Sequence, residues 1–165
     1  MPAQEQQPAT ILIVEDAPVW QHMLRSLLQQ EGFNVVSAFD YSDALHQLQS
    51  LYPPPELAIV DLVFPSSQSQ HAYDGLHILA TLRAKGLYAI VLSGVLPGVV
   101  ESLAGRPEVR DLIDKVHFTT QDFTEHFFLA KVRAAVAYAQ AARRAEGKLL
   151  EQQNRLHSLL PPTQR

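Results

Sequence analysis

The sequence predicts an α/β fold: a doubly wound, five-stranded parallel sheet flanked by five helices, the last of them extended. Three observations lead there. Five short apolar runs recur along the chain. Each is followed by a stretch carrying helical spacing or helix-start signals. The runs are continuously apolar rather than alternating, which marks strands covered on both faces by crossover helices.

Residues 1–9 read as a flexible lead. Thr10–Val14 is short, β-branched and bounded by acids, so it is the first strand. Residues 17–31 place Trp20, Met23, Leu24, Leu27 and Leu28 at helical spacing, with Pro18 suited to a first turn and Gly32 to a C-terminal cap. Phe33–Ala38 is the second strand. Asp40 can cap a helix that buries Ala44, Leu45, Leu48 and Leu51 and is stopped by Pro53, Pro54 and Pro55. Leu57–Asp61 is the third strand, and residues 62–74 form a long polar loop. Gly75–Lys85 is a helix with Leu76, Leu79 and Leu82 inward, ended by Gly86. Tyr88–Ser93 is the fourth strand. Residues 98–104 allow only a short helix, because Pro97, Gly98 and Gly105 crowd it. Leu112–Lys115 is a brief fifth strand, and Thr119 or Thr120 caps a last helix that begins near Gln121. No internal repeat is present.

Composition bounds the function. The chain has 165 residues, the size of one domain, and 47% are hydrophobic, enough for a core. It has no cysteine, so thiolate zinc sites and cysteine nucleophiles are excluded. No apolar run is long enough to cross a membrane, and the polar, Gln-rich start is not a secretory signal. A soluble, cytoplasmic protein is expected. The net charge of −4 hides an asymmetry. Residues 1–125 hold 6 basic and 15 acidic side chains, whereas residues 126–165 hold 7 basic and 2 acidic.

In an open parallel sheet, ligands bind outside the carboxyl ends of the strands. The first strand is followed there by Glu15 and Asp16. The third ends on Asp61, the fourth on Ser93 and the fifth on Lys115. Any one of these, taken alone, reads as an ordinary exposed strand end. Five functional groups at one edge of one sheet are hard to assemble by accident. Three clustered carboxylates repel and call for a cation. Oxygen ligands without cysteine suit a hard ion such as Mg²⁺. A carboxylate not fully engaged by that ion can attack phosphorus to give an aspartyl phosphate, with a lysine and a hydroxyl holding the remaining phosphoryl oxygens.

At these residues the sequence resembles the receiver domain of bacterial two-component response regulators. The resemblance covers about residues 10–125. It rests on Ile11-Leu12-Ile13-Val14-Glu15-Asp16, on Ala58-Ile59-Val60-Asp61-Leu62 with Pro65 and Asp74-Gly75-Leu76, on Leu92-Ser93-Gly94, and on Asp114-Lys115. The separations, 45 residues from Asp16 to Asp61 and 22 from Ser93 to Lys115, are typical of the family. The resemblance implies a flavodoxin-like sheet of order 2-1-3-4-5. It implies Asp61 as phosphoacceptor, and Glu15, Asp16, Asp61 and the backbone carbonyl of Val63 as ligands of Mg²⁺. Ser93 becomes the switch hydroxyl and Lys115 the lysine that pairs with the phosphoryl group. The donor is a histidine kinase or histidine phosphotransfer protein, and the output is contact with a downstream protein target. The implied catalysis is limited to the protein's own phosphorylation and dephosphorylation.

The sequence departs from the family pattern in three places. Residues 66–73 lengthen the loop after Pro65 by about six residues, either as a surface insertion or as a modifier of partner access. Val116 stands where a cis proline usually follows the lysine. A cis bond before a non-proline costs about 2.5–4 kcal/mol, so a trans bond, a rearranged turn and a less well aimed Lys115 are expected. Leu112 occupies the switch-aromatic position and lacks an aromatic's coupling to the hydroxyl. Val63 and Val95 stand at the two lifetime-tuning positions. Neither can orient a water by hydrogen bonding, which implies slow dephosphorylation. The alternative these departures motivate is a degenerate receiver that works as a phosphorylation-independent interaction or dimerisation module. A nucleotide-binding enzyme lacks support, since no Gly-rich phosphate loop is present.

The chain runs on for 50 residues past Lys115. Residues 121–144 are Ala-rich without Pro or Gly, a strong helix signal. Residues 121–160 read as the last receiver helix with an extension, and 161–165 as a tail. Phe128, Val132, Ala135, Ala139 and Ala142 follow a 4-3 spacing that continues through Glu146, Leu149, Gln153, Leu156 and Leu160. Such a seam offers a homodimer through a coiled coil. The competing arrangement packs the first half on the sheet and lets the rest project. The basic side chains Arg143, Arg144, Lys148 and Arg155 lack aromatic interleaving or a helix-turn-helix, so nucleic acid is not the expected partner. The expectation is a single-domain response regulator.

Overall fold

The structure, a computed structural model, describes residues 7–63, 74–94, 101–119 and 125–159. The expected insertion at 66–73, the lifetime position Val95, the capping Thr120 and the tail 161–165 lie outside them.

The five strands are β1 (Thr10–Val14), β2 (Asn34–Ala38), β3 (Leu57–Val60), β4 (Ala89–Ser93) and β5 (Val109–Asp114). All pair in parallel, in the order β2-β1-β3-β4-β5. The helices are α1 (Pro18–Gln30), α2 (Tyr41–Ser50), α3 (Asp74–Ala84), α4 (described at 101–103) and α5 (Glu125–Leu159). The order and the continuously apolar strands have one cause. Each central strand is buried on both faces, so its alternate residues feed two cores. Leu12, Val14, Ala58 and Val60 meet Ala44 and Leu48 of α2 and Ile78, Leu79 and Leu82 of α3. Ile11, Ile13, Leu57 and Ile59 meet Leu24 and Leu28 of α1 and Phe128 and Val132 of α5.

Local signals explain where the helices begin and end. Pro18 stands in the first turn of α1. Gly32 follows α1 at φ +85°, a left-handed value that favours glycine. Asp40 caps α2 by accepting a hydrogen bond from the Asp43 amide at 2.7 Å.

Strand β5 differs from expectation. It starts at Val109, three residues before Leu112, and ends at Asp114, so Lys115 opens a 3₁₀ turn (Lys115–Thr119) rather than closing the strand. The strand lies at the sheet edge, where Arg110 and Asp111 reach water, so its polar residues do not break the pairing. Its register against β4 shifts at Arg110, because Ala89 faces Val109 while Ile90 faces Asp111. The Arg110 guanidinium lies 3.6 Å over the Tyr138 ring of α5.

Helix α5 divides into a packed half and an exposed half. Phe128, Val132 and Ala135 are buried in the core shared with the sheet and α1, and Ala139 is buried one turn further on. Beyond Ala142 every described residue is exposed, including Leu149, Leu150, Leu156 and Leu159. Among the described residues no helix is long and apolar enough to cross a membrane.

These two halves of α5 should respond differently to truncation. Phe128→Ala is expected to cost about 3–5 kcal/mol in urea unfolding, as a large core deletion. Leu156→Ala should stay within about 0.5 kcal/mol. Equal losses at the two positions would contradict the packing described.

Candidate functional site

The chain leaves β1 toward β2 on one side and returns through β3 on the other. This makes the carboxyl ends of β1 and β3 the switch point of the sheet, where a crevice opens between diverging connections. Glu15 and Asp16 follow β1, and Asp61 follows β3. Their carboxylates offer oxygens that all lie within 4.8 Å of one another. Glu15 and Asp61 are buried and Asp16 is half-buried.

Ser93, at the end of neighbouring β4, donates from Oγ to Asp61 Oδ1 at 2.7 Å. The same oxygen accepts from the Leu62 amide at 2.6 Å and the Val63 amide at 3.3 Å. Lys115 Nζ lies 2.6 Å from Asp61 Oδ2 and 2.5 Å from Glu15 Oε2. The expectation of a poorly aimed lysine is therefore overturned. Among the described residues the only cis peptide bond is Tyr52–Pro53, so Lys115–Val116 is trans as expected. The 3₁₀ turn nevertheless carries the ammonium into the crevice.

The electrostatics reflect this packing. Burial pushes the Glu15 carboxyl above its ordinary value, against the opposing pull of the Lys115 hydrogen bond and charge. The two carboxylates hold Lys115 protonated, raising it above its ordinary value although its own burial acts the other way. One ammonium thus faces two carboxylates, with Asp16 beside them, and a cation remains electrostatically welcome. Carboxylate oxygens at this spacing, with no sulfur or imidazole among them, suit a hard divalent ion.

Two supporting roles escaped the sequence reading, that of Gln21 and that of Gly75. Gln21, buried in α1, donates from Nε2 to the carbonyls of Ile13 (3.3 Å), Glu15 (3.0 Å) and Ala38 (2.9 Å). It ties the turn carrying Glu15 to the ends of β1 and β2. Its signal was a polar residue at helical spacing from Leu24 and Leu28. Gly75 is the second. A Cβ there would lie 2.2 Å from the Asp61 carbonyl oxygen and 2.5 Å from Leu62 Cα, so only glycine lets α3 approach the loop after Asp61. The Gly75 amide donates to Leu62 O at 3.2 Å across that approach.

The side chains at two of the remaining expected positions lie beside the site rather than in it. Val63, two residues past Asp61, packs on the α2–α3 core, as does Leu112 of β5.

A sheet of this order, with acids, a hydroxyl and an ammonium around its central strand ends, defines a receiver-type signalling module. The family described as response regulator receiver domain matches residues 11–123. The protein belongs to that family. It is 32% identical over 89 residues to the probable transcriptional regulatory protein TcrX of Mycobacterium tuberculosis, covering 53% of this chain and 35% of that one. It is 32% identical over 96 residues to the probable C4-dicarboxylate response regulator DctR of Priestia megaterium, covering 57% and 39%. The chain thus spans well under half the length of these relatives. A signal receiver domain of an HD domain-containing protein from Pseudomonas fluorescens matches with TM-score 0.69 at 21% identity, over 86% of this chain and 96% of that one. A CheY-like receiver domain from Methanospirillum hungatei matches with TM-score 0.64 at 19% identity, over 82% and 98%. These structural likenesses establish the fold.

Gly75→Ala should force α3 away from Asp61, costing about 1–3 kcal/mol as an overpacked contact. Urea unfolding checks this, and an unchanged midpoint would contradict the close approach.

Proposed function

We propose that the protein accepts a phosphoryl group on the Asp61 carboxylate from a phosphohistidine of a kinase or phosphotransfer protein, and signals by contact with a protein target. The observation that carries this reading is the convergence of Ser93, Lys115 and two further carboxylates on Asp61.

The step itself is a displacement. An Asp61 oxygen attacks phosphorus, the O–P bond forms as the N–P bond of the phosphohistidine breaks, and the electron pair returns to the imidazole nitrogen. Glu15, Asp16, Asp61 and the Val63 carbonyl would hold Mg²⁺, which supplies positive charge opposite the transferring oxygens. Lys115 already sits beside Asp61 Oδ2, so its ammonium is in reach of a second phosphoryl oxygen. Ser93 Oγ, now donating to Asp61 Oδ1, would transfer that hydrogen bond to a third.

In this reading residues 10–125 form the phosphoaccepting unit, and the exposed end of α5 is a surface for partners. The side chains of Leu112 and Val63 pack on the α2–α3 core. Leu112 bears on how the output face responds once Asp61 is phosphorylated, and Val63 on how slowly the phosphoryl group leaves.

Incubation of the whole chain with Mg²⁺ and a small acyl phosphate should add the mass of one phosphoryl group, and Asp61→Asn should abolish the gain. The label should outlast seconds, because the valine at position 63 cannot orient an attacking water. No gain under conditions that label an ordinary receiver would favour the phosphorylation-independent interaction module instead.

A further inference from the structure

Lys115 stands on a turn that leaves an edge strand, and its neighbour Val116 is 60% exposed. Its side chain has four rotatable bonds, and confining such a chain costs about 2 kcal/mol of rotamer entropy. Something must hold it on two carboxylates. The carboxylates themselves fix only the ammonium, and they repel each other whenever it moves.

An aromatic stack supplies the missing constraint. The ring of Trp20, in the first turn of α1, lies 5.0 Å from Lys115 Nζ. Trp20 meets Phe118 edge-on, with centroids 5.3 Å apart at 87°. Phe118 in turn meets Phe128 at 5.2 Å and 61°. Phe128 is wholly buried in α5. The stack therefore grips the lysine turn at both ends: Phe118 anchors its backbone to the core, and Trp20 faces its ammonium. The Lys115 side chain is only 14% exposed, so the attraction between ammonium and ring is weakly screened.

We infer that Trp20 is a positioning residue for Lys115, acting through its ring face rather than by filling space, and that it speeds phosphoryl acceptance at Asp61. The rate effect rests on the function proposed above, whereas the contact with Lys115 does not.

Two kinds of measurement test the inference on the whole chain. Trp20 is the only tryptophan, so its emission reports on that ring alone. Lys115→Met should shift Trp20 emission, and Lys115→Arg, which keeps a cation, should restore it. The second measurement is the rate of phosphoryl gain from a small acyl phosphate with Mg²⁺. Trp20→Leu keeps apolar bulk but removes the ring face. It should lower the maximal rate about threefold to tenfold, the range given by a partly desolvated cation–π contact, with the half-saturating donor concentration unchanged. Trp20→Phe should restore most of the rate. Urea unfolding of each variant separates this from loss of fold, and the tryptophan-retaining Lys115 variants remain informative if Trp20→Leu is poorly folded.

The outcomes are separable. If the wild-type chain takes up no phosphoryl group, the proposed function fails, and the emission measurement alone decides the contact. If the chain is labelled but Trp20→Leu matches it in rate, the positioning role is overturned. Identical emission from wild type and Lys115→Met would overturn the contact itself.

Discussion

The ammonium of Lys115, shared between Asp61 and Glu15, is the interaction around which the rest of this molecule is arranged. It joins the ends of two central strands to a turn off the sheet edge. Without it, two buried carboxylates and a half-buried third would face one another largely out of water, which is costly. With it, the site is stable enough to persist yet still short of positive charge. That combination, rather than any single residue, favours a cation beside the three carboxylates.

The surrounding structure keeps those few groups at hydrogen-bonding distance. The strand order places β1 and β3 side by side, so that Glu15, Asp16 and Asp61 meet. Gln21 fixes the first acidic turn through three carbonyls, and Gly75 lets α3 close on the second. The stack of Trp20, Phe118 and Phe128 links the lysine turn to α5, the element that also leaves the body of the fold. A change in the position of Lys115 would therefore be felt in the packing at the start of α5. The exposed end of α5, which carries Leu149 and Leu156, continues the same helix.

Most of the site was legible because strand ends are legible. A continuously apolar run that stops on a polar residue marks both a buried strand and the edge where ligands bind, so Glu15, Asp16, Asp61 and Ser93 could be placed without coordinates. Strand β5 was harder. It is an edge strand with one wet flank, so Arg110 and Asp111 hid its first half. Lys115 was expected to lose its aim because Val116 follows it. The peptide bond alone does not decide the aim, because Phe118 of the lysine turn meets Trp20 and Phe128, and the Trp20 contact joins segments distant in sequence. The 4-3 spacing of α5 was real but ambiguous, since a stripe of Phe128, Val132, Ala135 and Ala139 serves a sheet as well as a second helix. Gln21 was missed because a glutamine on a helix is ordinarily solvated, and only the convergence of three carbonyls makes it a buried anchor.

The claim that the crevice is a cation site short of positive charge is tested most directly by urea unfolding with and without Mg²⁺. A ligand that binds only the folded state raises stability by RT ln(1 + [L]/Kd), about 2.7 kcal/mol at a hundredfold excess over Kd. Mg²⁺ should raise the unfolding midpoint of the wild-type chain and leave that of Asp16→Asn nearly unmoved. A wild-type midpoint that does not respond to Mg²⁺, or one that rises equally in Asp16→Asn, would contradict the account.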